Sequence, residues 1–107
     1  MTPTMPALVL NGPGDVHLAE KPIPTPGPGE VVLAVEATTV CGTDLRIISG
    51  DKTTGVHPGV TLGHEIAGRI ASLGEGVEGL AVGQQATVSI VVSCGICRAC
   101  LTGREHL

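Results

Sequence analysis

The chain contains no Phe, Tyr or Trp. Its core must therefore be built from Val, Ile, Leu and Ala. The aromatic platforms on which proteins stack single-stranded nucleic acid are excluded. Basic residues are sparse as well: six Lys and Arg stand against ten Asp and Glu, for a net charge of −4. Without a basic run there is no electrostatic footprint for nucleic acid. Long apolar runs are missing too. The longest, Val31 to Val35, has five residues, whereas a membrane-spanning helix needs about 18 or more. The segment Met1 to Pro6 lacks a basic stretch followed by an apolar one, so no secretory signal is read and a cytoplasmic location is expected.

At 107 residues the chain is one domain at most, with a modest core. It reads as short strands between strong turn signals. Ala7–Leu10 is an apolar run, Asn11–Asp15 a Gly/Pro turn, and Val16–Ala19 a second strand. Residues 22–29 hold four Pro and two Gly and form an extended loop. In Val31–Thr39, strict alternation puts Val31, Leu33, Val35 and Ala37 on one face, with Glu36 and Thr38 on the other. A short helix is expected from Thr43 or Asp44 as cap to Gly50 as stop. His64–Leu73 is a further strand, and Gly74, Gly76 and Gly79 mark turns. Ala86, Val88, Ile90 and Val92 alternate with polar residues as one more half-buried strand. The class expected is mainly β, a small barrel or sandwich with one or two short helices.

Two cysteine-bearing patterns carry the chemistry. Cys94, Cys97 and Cys100 are each separated by two residues. Three of the four cysteines crowded into one short window, without a secretion signal, favour metal binding over disulfides. A compact set of thiolates suits a closed, structural zinc. The second pattern is spread out: Cys41 with Thr43 and Asp44, then His64 and Glu65. A thiolate and an imidazole on separate loops suit a catalytic zinc, which keeps one coordination position open. Zinc is a Lewis acid that lowers the pKa of the oxygen it binds; an alcohol acidified this way releases hydride more readily. Asp44 is spaced to orient the His64 imidazole, and Thr43 to hydrogen-bond a hydroxyl and pass its proton on.

Blander readings stand beside these. A lone cysteine is usually a small apolar residue, and His17 and His57 read as surface residues. Glu65 follows His64 on a strand, which would send the two side chains to opposite faces. The alternatives are an ion pair, or approach to the metal if the strand is bulged.

The residues Val40-Cys41-Gly42-Thr43-Asp44, Gly63-His64-Glu65-Ile66-Ala67-Gly68 and Cys94-Gly95-Ile96-Cys97-Arg98-Ala99-Cys100 resemble, in order and spacing, the zinc-dependent medium-chain alcohol dehydrogenases. The resemblance is to their N-terminal, GroES-like catalytic domain and covers essentially the whole chain. It implies a GroES-like small β-barrel over residues 1–107. It implies that Cys41 and His64 ligate the catalytic zinc, that Glu65 lies beside the metal and ligates it in some states, and that Thr43 starts a proton relay while Asp44 supports His64. Cys94, Cys97 and Cys100 would be three of four structural zinc ligands. The reaction implied is hydride transfer between a small-molecule alcohol and NAD or NADP, in a homo-oligomer.

Departures are also visible. Arg46 stands where many relatives carry His, Ile47 and Ile48 where an aromatic is common, and Gln84 where Asp is usual. No strand–Gly-x-Gly-x-x-Gly–helix unit for a dinucleotide occurs. The fourth structural cysteine is expected just after Leu107, and the third catalytic ligand later still. The chain is therefore expected to be a catalytic domain truncated within its structural zinc loop. Two other readings compete. One is a non-catalytic zinc-binding GroES-like module. The other is an iron–sulfur electron carrier, whose cysteine run would continue with a fourth Cys and a Pro, where residues 103–107 follow instead. Under the structural-zinc reading, His106 is the candidate substitute for the fourth ligand.

Overall fold

The computed structural model describes residues 2–106. Six strands and two short helices follow one another as β1 (Thr4–Gly12), β2 (Asp15–Pro22), β3 (Val31–Thr39), α1 (Gly42–Ser49), β4 (Val60–Thr61), β5 (Glu65–Leu73), β6 (Gln85–Thr87) and α2 (Arg98–Leu101). They form two antiparallel three-stranded sheets, ordered β2-β1-β4 and β3-β5-β6. The mainly β, barrel-like expectation holds, although the two sheets do not close on each other through a shared ladder.

The first sheet folds about the turn at residues 13–14, and its tip touches α1 through the Gly14 N–H and the Ile48 carbonyl at 2.8 Å. Lys21 arches from β2 to the β4 segment, its ammonium donating to the Gly59 carbonyl and to Thr61 Oγ1, both at 2.7 Å. Among the described residues the buried apolar ones are Ala7, Val9 and Leu10 of β1 and Ile70 of β5. This small aliphatic core is what a chain without aromatic rings can build.

The long β3–β5 ladder sets the geometry of everything else. Its register is regular at both ends, from Val31 opposite Leu73 to Thr39 opposite Glu65. Between them lie two irregularities, one leaving Ala71 of β5 unpaired and one leaving Glu36 of β3 unpaired. An extra residue in one strand inverts the alternation beyond it. Val31, Leu33 and Val35 therefore share a face, but Ala37 and Thr39 turn to the other. The expected grouping of Ala37 with Val35 is corrected on this point. The unpaired Glu36 is free to reach Arg69, whose Nε lies 3.0 Å from Glu36 Oε1. Gly68 sits at the same irregularity. A Cβ there would fall 2.0 Å from the Ala34 carbonyl oxygen, so only glycine admits this approach.

Three further expectations shift. The strand predicted over residues 86–92 is reduced to Gln85–Thr87, with one extra ladder bond from the Val88 N–H to the Ile66 carbonyl. Its partner β5 begins at Glu65, so residues beyond 89 have nothing to pair with; Ile90 and Val92 are exposed. Helix α1 is capped by Cys41 instead of Thr43 or Asp44, and ends at Gly50 in the left-handed conformation (φ 90°). Gly74-Glu75-Gly76-Val77-Glu78-Gly79 spells the dinucleotide pattern after β5, but turns and β6 follow instead of a helix, so no phosphate cradle is formed. Among the described residues no helix is long and apolar enough to cross a membrane.

Candidate metal centres

The pairing of Thr39 with Glu65 brings the end of β3 and the start of β5 to the same edge of the sheet. The residues just outside that pair, Cys41 after β3 and His64 before β5, are thereby made neighbours across 23 positions of sequence. Cys41 Sγ lies 3.0 Å from His64 Nε2. On the far side of the imidazole, His64 Nδ1 is 3.4 Å from Asp44 Oδ1.

Asp44 occupies the third position of α1 and is only 5% exposed. Its Oδ2 accepts the Cys41 N–H at 3.0 Å, one half of a capping box completed by the Cys41 side chain and the Asp44 N–H. Oδ1 is buried without an aligned hydrogen bond. At 3.4 Å from His64 Nδ1 it is close enough for charge attraction. A buried carboxylate oxygen with no aligned partner, aimed at an imidazole whose other nitrogen meets a thiol, matches the outer support that metal-bound histidines usually have.

The local field favours a charged pair. The Thr43 side chain, first, and then the N–H groups of Thr43 and Asp44 and the His64 ring hold the Cys41 thiol below its ordinary range, against the opposing effect of burial. A helix N-terminus favours a thiolate in the same sense. His64 is pushed upward, chiefly by its hydrogen bond to Cys41, and further by the charges of Cys41, Asp44 and Glu65.

Cys41, Thr43, His64 and Glu65 line one open cleft of about 650 Å³, together with Thr39, Thr87 and Ser89 and an apolar wall that includes Ile66 and Ile90. The expectation that His64 and Glu65 face opposite ways does not hold, because His64 precedes the strand instead of lying on it. Glu65 is nevertheless not among the converging donors: those of Cys41, Asp44 and His64 lie within 4.8 Å of one another, and the set does not include Glu65. Glu65 Oε2 instead accepts a hydrogen bond from Thr39 Oγ1. Thr39 was not singled out from the sequence, since the irregularity that turns it into the cleft leaves no mark in the residue pattern.

The second cluster forms where Cys97 caps α2. Cys100 Sγ lies 3.5 Å from Cys97 Sγ and 3.9 Å from Cys94 Sγ. All are free thiols. Two thiolates on one tetrahedral zinc at about 2.3 Å sit roughly 3.8 Å apart, so this spacing fits a metal and exceeds any disulfide. Backbone N–H groups of Gly95 and Cys97 point at Cys100 Sγ and Cys94 Sγ, each at 3.3 Å. The N–H groups of Ile96 and Cys97, then the Cys97 side chain, bring the Cys94 thiol down to about 7. His106 does not join the three sulfurs within 4.8 Å. His17 and His57 are exposed and stand apart from both clusters.

Comparison with known proteins points the same way. The family model of the alcohol dehydrogenase GroES-like domain matches residues 27–107. The L-threonine 3-dehydrogenase of Stenotrophomonas maltophilia is 46% identical over 94 residues, covering 86% of this chain and 28% of that protein. The chain thus spans under a third of the length of the curated relatives it matches. A thermostable alcohol dehydrogenase of Pyrobaculum aerophilum, solved with cobalt and zinc bound, is 34% identical with a TM-score of 0.88, over 97% of this chain and 32% of the other. Acetophenone reductase of Geotrichum candidum, solved in complex with NAD, is likewise 34% identical with a TM-score of 0.83, over 97% of this chain and 31% of the other.

Proposed function

Because the chain belongs to the alcohol dehydrogenase GroES-like domain family, we propose that it is the metal-holding part of a zinc-dependent oxidoreductase that moves hydride from a small alcohol to NAD or NADP. The observation that carries this reading is the triad of Cys41 Sγ, His64 Nε2 at 3.0 Å and the buried Asp44 behind the imidazole, with Cys41 and His64 opening onto one cleft. The donors are a thiolate and an imidazole supported by a carboxylate, a set that suits zinc. Zinc held there would supply Lewis acidity to an alcohol oxygen, and the nicotinamide would accept the hydride.

The remaining work falls to the chain's own residues. Cys41, its thiol held below the ordinary range at a helix N-terminus, gives up its proton to a metal more readily than a free thiol. Asp44 fixes the ring of His64 and so decides which nitrogen faces the metal. The Thr43 hydroxyl, in the cleft, receives and hands on the proton that the alcohol gives up. Cys94, Cys97 and Cys100 hold a second, structural zinc; three crowded sulfurs leave no room for substrate.

We assign the substrate to small secondary alcohols, among which polyols and β-hydroxy amino acids of the threonine kind are included. The 46% identity to L-threonine 3-dehydrogenases supports the last of these. Residues that hold the dinucleotide, a fourth structural ligand and a third catalytic ligand are proposed to belong to the part of the protein beyond these 107, which the relatives' length leaves room for. The isolated chain then turns over no alcohol, and NAD-dependent turnover by it would refute the assignment.

Metal analysis is the direct test. Purified chain should bind zinc, and Cys41→Ala and Cys97→Ala should each abolish a separate share. Iron with absorbance near 400 nm, as clusters typically give, would replace the structural-zinc reading with an electron carrier. Zinc content untouched by Cys41→Ala would leave a binding module without chemistry.

A further inference from the structure

We propose that the cavity at the C-terminal end of α1 is a second small-molecule site, which takes a short aliphatic monocarboxylate with Lys52 as its counter-charge. The inference is independent of the metal reading and concerns another part of the molecule. The cavity has a volume of about 280 Å³ and lies where three segments meet: the end of β1 with its turn, the end of α1, and the loop that leads to β4. It shares no lining residue with the metal cleft. Backbone hydrogen bonds fasten the three segments together. The Gly14 N–H meets the Ile48 carbonyl at 2.8 Å, the Lys52 N–H the Arg46 carbonyl at 3.0 Å, and the Gly59 N–H the Leu10 carbonyl at 2.9 Å. The walls are thus preformed, as they are in most ligand sites. At about 30 Å³ of liquid per water, the space corresponds to on the order of nine non-hydrogen atoms.

Its chemistry is that of an apolar pocket with one charge. Leu10, Ile47, Val56 and Pro58 line it, and Leu10 is buried. Lys52 is its one residue of fixed charge. No Asp or Glu lines it, although acidic residues outnumber basic ones ten to six in the chain. Lys52 is half-buried, and among the described residues no carboxylate forms an ion pair with it. An apolar body carrying a single negative charge matches both features. Phosphate matches neither. Multiply charged anions favour helix N-termini, whereas α1 brings its C-terminal, partially negative end to this cavity. The carbonyls of Arg46, Ile47 and Ile48 at that end accept from the N–H groups of Lys52, Gly50 and Gly14, so none of the three stands unpaired against a carboxylate.

The test uses the metal-free chain and two probes of equal size, 4-methylpentanoate and its uncharged amide, with inorganic phosphate as a third. Binding is read from backbone amide shifts in heteronuclear NMR spectra. The carboxylate should shift Ile47, Gly50, Lys52 and Val56 saturably, with a midpoint on the order of 1 mM. The amide should bind about tenfold more weakly, since it forgoes a charged hydrogen bond. Phosphate should move none of the four. Lys52→Met should weaken carboxylate binding to the level of the amide and leave the amide within about twofold of its own value. Carboxylate and amide binding alike to the unaltered chain would overturn the inference. So would shifts that centre on Cys41 and His64, a stronger response to phosphate, or no saturation below about 20 mM. A Lys52→Met chain that binds the carboxylate as before would overturn it equally.

Discussion

Replacing Asp44 separates two jobs done by one carboxylate. Oδ2 accepts the Cys41 N–H at 3.0 Å and so starts helix α1; Oδ1 faces His64 Nδ1 at 3.4 Å. Asp44→Ala removes both. It costs the reciprocal cap, worth about 1 kcal/mol, and a negative charge in the first helical turn, worth about 0.3–1 kcal/mol. The metal-free protein should therefore lose about 1–2 kcal/mol of stability. Asp44→Asn keeps one oxygen for the cap but no charge to face the imidazole. It should lose under about 1 kcal/mol, while zinc affinity at the Cys41–His64 site falls about 10- to 100-fold. Urea unfolding followed by circular dichroism in chelator gives the first number, and chelator competition the second. An Asn variant that binds zinc like the unaltered protein would refute the supporting role of Asp44. An Ala variant within about 0.5 kcal/mol of the unaltered protein would refute the capping argument.

Two other consequences are open to measurement. In chelated, reduced protein Cys94 titrates near 7 instead of at the ordinary thiol value of 9.0. Its pKa is lowered on folding, so its stabilising share is complete above pH 9 and is lost as pH falls through about 7. The urea midpoint should rise between those values, Cys94→Ser should flatten the rise, and iodoacetamide should label Cys94 at pH 7 before Cys97; equal labelling would count against the assignment. Gly68→Ala forces a methyl to within 2.0 Å of the Ala34 carbonyl oxygen and 2.9 Å of its carbon. Neither atom can move without the strand, so a loss of about 2 kcal/mol or more is expected, and an unchanged melting temperature would show that the two strands do not approach as described.

Much of the fold was legible in the residues because turns announce themselves. The Gly/Pro punctuation bounded β1, β2 and β3, and a run rich in small residues located β5. Gly50 stopped α1 where a left-handed residue was needed. The cysteine spacing was enough to group Cys94, Cys97 and Cys100, since across a two-residue gap a single turn brings the sulfurs together. Cys41 and His64 were harder: their contact depends on the register of a ladder, and the zinc reading of their spread pattern stood beside a blander one until the family resemblance strengthened it. What stayed hidden depended on pairing partners. The run Ala86–Val92 alternates as a strand should, but β5 ends before it does, and alternation cannot report a missing neighbour. The place of Thr39 in the cleft was hidden for a similar reason.

That irregularity at Glu36 means β3 is spliced from two half-strands of opposite phase. Anyone who randomises alternate positions 31, 33, 35, 37 and 39 would be sampling two unrelated surfaces with one library. Changes at the first three fall on the face away from the cleft and would be filtered by stability alone. Changes at Ala37 and Thr39 would be filtered by what enters the cleft. Selecting for a new substrate and selecting for a sturdier domain are thus separable within a single nine-residue strand. The dividing mark between them is one glutamate that pairs with nothing across the ladder.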